Sequence, residues 1–252
     1  MAFRQEGSGP PLYMVHGIGS RKEHWNALIE VLGEHFTCVS FDLRGHGDSP
    51  VPPTPYNLDQ LVEDLEALRV KLGHAKIHLI GHSLGGVIGP AYARAHPNRL
   101  LSLGLLSTAA GRSESDRAIL FGVIEKLRNE GIPQTLDTFV QRWYTDAFIA
   151  ERPDVIETQL NRVLQTPAEV FLSVFEIYAS SETGPWLPDI SCPCLVLTAE
   201  FDGGSNPRLN RFIAEQLPDS ELVILPNFKH DILGEASDQI ATPLANFLRR
   251  VS

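Results

Sequence analysis

The chain has 252 residues, 43% hydrophobic and 21% charged, enough apolar side chains for a sizeable core and too many for a disordered chain. Lys+Arg 21 against Asp+Glu 31 leaves a net charge of −10, which excludes binding driven by phosphate neutralisation and so disfavours nucleic acid. Three cysteines (Cys38, Cys192, Cys194) are too few for a disulfide framework, and the spacing of the last two fits neither a redox motif nor a zinc knuckle. The opening residues lack the apolar stretch of a signal peptide, and no apolar run approaches the roughly 18 residues of a spanning helix. A cytoplasmic protein without membrane contact is therefore expected.

In chain order, Leu12–Val15 reads as a buried strand running into the loop His16-Gly17-Ile18-Gly19. A helix follows from Trp25 to Leu32, then a strand over Phe36–Phe41 that closes on the turn-rich Asp42–Ser49. Apolar residues at 58, 61, 62, 65, 68, 70 and 72, mostly at helical spacing, predict a helix over Leu58–Leu72. Strands are predicted at Ile77–Ile80 and within Leu100–Leu106. From 113 to 185 the pattern is helical and aromatic, without a clear strand. The alternation resumes with a strand at Cys194–Thr198, a helix near Pro207–Gln216, a strand at Glu221–Leu225 and a closing helix near Ser237–Arg249. Strands separated by helix-length crossovers predict an α/β sandwich with a mostly parallel sheet. Residues 1–112 and 186–252 would form its core, and 113–185 an inserted helical cap.

Gly81-His82-Ser83-Leu84-Gly85 follows a strand and opens a helix, the setting in which G-x-S-x-G forms a sharp turn that lifts a nucleophilic serine above the sheet edge. Serine requires a base, and His230 lies just beyond the last strand, on the same edge. His24, His35, His74 and His96 are expected on helices or helix ends away from that edge. His46 falls in a turn, while His78 and His82 stand too close to Ser83 in sequence. His16 reads as a residue that shapes its own loop. Asp202, after the strand at 194–198, completes the order Ser…Asp…His; Glu200 and Asp231 are its rivals. The oxyanion donors would be the N–H groups of Leu84 and of Ile18. No Walker loop or H-E-x-x-H is present, and Lys22 breaks a dinucleotide fingerprint begun by Gly17 and Gly19. No metal and no cofactor are expected. The aromatics of 113–185 are most simply packing residues, but Arg142, beside Trp143, could reach inward to a carboxylate. Pro90 falls within the helix after Ser83 and should kink it.

On these residues, with Trp25, the run Asp42–Ser49, and His230 with Glu235, the chain resembles the α/β-hydrolase fold superfamily over nearly its whole length. Within it the chain is most similar to the 3-oxoadipate enol-lactonase and small carboxylesterase group, through Ser107–Ala110, Arg142–Phe148 and Pro153–Val155. The resemblance implies a cofactor-free hydrolase of a small ester or lactone. Ser83 would be nucleophile, His230 base and Asp202 orienter, with Ile18 and Leu84 at the oxyanion and Arg142 and Trp143 against substrate. Carbon–carbon bond hydrolysis and a non-catalytic small-molecule receptor are the rival readings. Dehalogenation would require aspartate in place of Ser83.

Overall fold

The computed structural model describes residues 1–252. Seven strands form one sheet: β1 (Phe3–Glu6), β2 (Pro11–Val15), β3 (Thr37–Phe41), β4 (Ile77–His82), β5 (Leu100–Leu106), β6 (Cys194–Ala199) and β7 (Ser220–Leu225). Their spatial order is β1-β3-β2-β4-β5-β6-β7, and every pairing is parallel except that of β1 with β3. The first strand is an addition to the expected set. Its exposed Arg4 and Gln5 carry no apolar signature, so only its pairing with β3 reveals it.

Side chains alternate across the sheet, and the two faces build two cores. Tyr13, Val15, Val39 and Leu79 point to one side, where α2 (Leu58–Leu72) and α3 (Leu84–Ala95) pack. Leu12, Met14, Cys38 and Ile80 point to the other, against α1 (Asn26–Leu32) and, later in the chain, the C-terminal helix Ser237–Arg250. Helix α2 starts at a capping box, with Asn57 and Gln60 bonding each other's backbone, and stops at Gly73 with φ 73°. Helix α3 runs through Pro90 as one element rather than ending there. Gly86 and Gly89 let that helix lie close to the strand beside it, since a Cβ on Gly86 would lie 2.5 Å from Thr108 and one on Gly89 2.8 Å from Leu103.

Between β5 and β6 the chain makes α4 (Glu114–Glu130), α5 (Leu136–Trp143), α6 (Asp146–Glu151), α7 (Pro153–Gln165) and α8 (Ala168–Ser180), with no strand among them. Val170, Phe171 and Val174 of α8 are fully buried in the larger core, which joins this helical segment to the sheet. The chain ends with α9 (Pro207–Gln216), α10 (Ile232–Glu235) and α11 (Ser237–Arg250). No helix is long and apolar enough to cross a membrane.

The strand order positions the site. The crossover from β2 leads to β3 on one side, whereas β4 lies on the other side of β2. Loops leaving the carboxyl ends of β2 and β4 therefore diverge and open a crevice between them, the usual place for a ligand in such a sheet.

Candidate active site

Ser83 occupies the turn between β4 and α3 with φ 54° and ψ −111°, a region that side-chain-bearing residues rarely adopt. The turn is possible because its neighbours lack side chains. A Cβ on Gly81 would lie 2.2 Å from the Gly85 backbone, and one on Gly85 would lie 2.2 Å from the Val15 carbonyl oxygen. The Ser83 backbone is tied down by its own N–H to the Leu106 carbonyl at 2.9 Å, and by the Thr108 hydroxyl to its carbonyl at 2.9 Å.

His230 follows β7, and its Nε2 lies 3.1 Å from Ser83 Oγ. Its Nδ1 lies 2.7 Å from Oδ2 of Asp202, which follows β6. The other Asp202 oxygen accepts from the N–H groups of Ser205 at 2.7 Å and Gly204 at 2.9 Å. Burial alone would raise the Asp202 carboxyl, but the facing His230 and these two donors outweigh it and hold the pKa below the ordinary carboxylate value. Burial alone would lower His230. The Asp202 charge and hydrogen bond prevail and raise it, with Arg142 pulling weakly the other way. The rivals of Asp202 are placed elsewhere: Glu200 accepts from the Asn227 N–H, and Asp231 bonds His24.

The loop after β2 comes close to Ser83, since a Cβ on Gly17 would lie 3.1 Å from the serine Cβ. As first residue of its helix, Leu84 has no intrahelical partner for its N–H, and the Ile18 N–H joins none of the loop hydrogen bonds. Two histidines hold this loop. Nε2 of His16 accepts from the Leu43 N–H at 3.0 Å, and Nε2 of His46 accepts from the Gly19 N–H at 3.2 Å. Burial keeps both neutral, with pKa values lowered to about 3 for His16 and about 4 for His46.

Two histidines set aside on sequence grounds belong to the site. His24, expected far from the sheet edge, lines the pocket, with Nε2 2.6 Å from Asp231 Oδ1. The cause is a single 3-10 turn, Lys22–Trp25, which brings residue 24 back over the edge. Lys22 pins that turn through its N–H to Asp42 at 2.8 Å and its ammonium to Asp42 and Asp48 at 2.7 and 2.6 Å. His82 also lines the pocket, and its Nε2–H donates to the His230 carbonyl at 3.0 Å. Burial is the main reason that its pKa falls to about 4, so it stays neutral and steadies the loop of the neighbouring histidine.

The helical segment closes the pocket. Arg142 and Trp143 both line it, together with Phe139, Phe171 and Phe175. Trp143 stacks on Phe139 at 5.1 Å between ring centroids, and no carboxylate of the protein pairs with Arg142. The segment is fastened beside His230. Asp231 accepts from the Tyr144 hydroxyl, its N–H reaches the Trp143 carbonyl at 3.0 Å, and Glu235 accepts from both the N–H and the hydroxyl of Thr145. Lys229 donates to the Gln141 carbonyl at 2.9 Å, near the carboxyl end of α5.

Known proteins share this architecture. The chain is 30% identical over 220 residues to 3-oxoadipate enol-lactonase 2 of Acinetobacter baylyi, covering 86% of this chain and 80% of that one. Its fold matches a thermophilic esterase from Thermogutta terrifontis, solved with malate bound, with a TM-score of 0.90 at 31% identity over 99% of this chain and 93% of the other. It also matches the enol-lactonase from Burkholderia xenovorans, with a TM-score of 0.92 at 26% identity over 98% and 96% of the two chains. A family model described as alpha/beta hydrolase fold matches residues 10–237, so the chain belongs to the α/β-hydrolase family.

Proposed function

We propose that the protein is a cofactor-independent serine hydrolase of a carboxylic ester or lactone, acting through an acyl-enzyme on Ser83. One observation carries the reading: the unbroken relay from Ser83 Oγ to His230 at 3.1 Å and from His230 to Asp202 at 2.7 Å, in a pocket. His230 Nε2 takes the serine proton as Oγ attacks the carbonyl. The N–H groups of Ile18 and Leu84 stabilise the oxyanion. The imidazolium, stabilised by Asp202, gives its proton to the leaving oxygen, and a water activated by His230 then releases the acid. Residues 113–185 serve as a cap over this chemistry. Its Arg142, free of carboxylate partners, supports a substrate that itself carries a carboxylate, as a 3-oxoadipate enol-lactone-like compound would, with Trp143 against it. A cytoplasmic location belongs to the same reading, supported by three free cysteines.

Stopped-flow hydrolysis of p-nitrophenyl acetate, with intact mass in parallel, tests the mechanism. Wild type should show a burst and an acetyl adduct. Ser83→Ala and His230→Ala should show neither, with turnover lower by roughly 10⁴-fold or more. Wild-type rates in Ser83→Ala would refute the assignment. Turnover of a vinylogous diketone but of no ester or lactone would favour carbon–carbon bond hydrolysis. Ligand binding without turnover of any of these would favour a receptor.

A further inference from the structure

The pocket in front of Ser83 has a mixed lining. Leu120, Phe139, Phe171 and Phe175 are apolar, while Ser20, His24, Gln159 and Asp231 bring polar atoms to it. The relay uses none of those four side chains. Ser20 is 6% exposed, and its hydroxyl has no hydrogen-bond partner. Gln159 is 5% exposed, and its carboxamide is held only at the outer limit of hydrogen bonding. Its Nε2 lies 3.4 Å from the Gly19 carbonyl, and its Oε1 lies 3.4 Å from Arg162 Nη1. Polar groups this deeply buried are normally well paired, so the two mark a place shaped for an incoming partner.

The charges around them fix the kind of partner. Asp231 is already satisfied by His24 Nε2 at 2.6 Å and by the Tyr144 hydroxyl, and these neighbours hold it ionised despite its burial. Arg162 lies 3.5 Å from the other nitrogen of His24. Asp231 and Arg162 flank His24 with opposite charges, so a ligand charge of either sign is attracted by one and repelled by the other. A neutral oxygen meets no such repulsion and can accept from the Ser20 hydroxyl and from Gln159 Nε2–H.

We infer that Ser20 and Gln159 form a subsite for an uncharged oxygen of the substrate, a carbonyl or hydroxyl remote from the bond that is cleaved. Ser20 comes from the loop after β2 and Gln159 from α7, so such a substrate would bridge the sheet edge and the helical segment. The inference deepens the Ser83 reading and relies on it only for the activity assay.

The test compares methyl hexanoate with methyl 3-, 4- and 5-oxohexanoate by pH-stat. At least one keto ester should exceed the parent in kcat/KM by roughly tenfold, the worth of one to two hydrogen bonds. That ratio should fall to within about twofold of unity in Ser20→Ala and in Gln159→Leu. A ratio near one in wild type, or one that survives both substitutions, overturns the inference. If none of the esters is hydrolysed, the p-nitrophenyl acetate burst judges the Ser83 reading separately. Calorimetric binding of the three oxohexanoates against hexanoate then decides the subsite. A keto preference abolished by the same substitutions supports it, and equal affinities overturn it.

Discussion

The backbone of Ser83 allows the strain of its turn to be measured apart from the chemistry proposed for its hydroxyl. Ser83→Ala and Ser83→Gly both remove the hydroxyl and its 3.1 Å contact with His230, so their difference reports only the Cβ in this backbone conformation. At φ 54° and ψ −111°, holding a residue with a side chain costs about 1–3 kcal/mol. Glycine removes that cost but returns about 0.5–1 kcal/mol through its greater freedom when unfolded. The glycine variant should therefore be the more stable by about 1 kcal/mol. A chain of 252 residues unfolds with an entropy of about 0.5 kcal/mol/K, which turns that difference into a Tm higher by roughly 2 °C. Differential scanning calorimetry, with guanidinium midpoints as a second measure, reads the comparison. Both variants should be inactive on p-nitrophenyl acetate. If Ser83→Ala melts at or above Ser83→Gly, the turn is not strained and the argument from its backbone angles fails.

Other consequences can be checked independently. Because His230 is raised above the ordinary histidine value of about 6.5, kcat/KM for a neutral ester should fall on the acid side with an apparent pKa above that value. Arg142 opposes that shift, so Arg142→Met should carry the acid limb to still higher pH; a limb that stays or moves down contradicts the electrostatic picture. His78 is fully buried, and burial lowers its pKa to about 4, so the unfolded chain binds its proton more readily than the folded one. Stability should then rise with pH between about 4 and 6.5, with His78 alone costing about 2 kcal/mol at pH ~5 relative to pH ~7.5. Urea melts of His78→Asn should show a shallower loss by about that amount, and an unchanged slope would exclude His78 as its source. Gly85→Ala places a Cβ 2.2 Å from the Val15 carbonyl on a central strand that cannot retreat, and should destabilise by at least about 2 kcal/mol or prevent soluble expression. A wild-type melting temperature would refute that account.

The residues legible from sequence were those whose role is fixed by local pattern. Gly81-His82-Ser83-Leu84-Gly85 specifies its own turn, and Asp202 and His230 each stand in a loop directly after a strand. Parallel strands put all such loops on one edge, so reading the strands was enough to bring the three together. Strand β1 has no signature in the sequence because its stability comes from pairing with β3 and not from burying alternate side chains. The place of His24 is hidden for a related reason. Its position depends on a short 3-10 turn fixed by Lys22 and Asp42, a contact that no hydrophobic period encodes. A signal was present all the same: Lys22 in a turn, with Asp42 and Asp48 bracketing the next one, is a set of charges that seek each other. His82 was discounted for its closeness to Ser83, yet in a strand successive side chains point to opposite sides, and residue 82 can face the pocket beside residue 83 once the chain turns.

His230 and Asp231 show how the sheet and the helical segment depend on each other. His230 takes its orientation from Asp202 on one side and from His82, through its carbonyl, on the other. The next residue, Asp231, holds Tyr144 and the Trp143 carbonyl, and Glu235 a few residues on holds Thr145. The segment that carries Arg142 and Trp143 is thus anchored to the loop that carries His230, and not to the turn that carries Ser83. Buried, charged hydrogen bonds of this kind are costly to break singly, because each loss leaves an unpaired carboxylate. Displacement of the segment would therefore disturb His230 before Ser83, linking the shape of the pocket to the position of the proposed base. A change in what the pocket accepts at Arg142 and Trp143 is free to leave the Ser83 turn untouched, since that turn is held by Leu106, Thr108 and the glycines of β4 and α3.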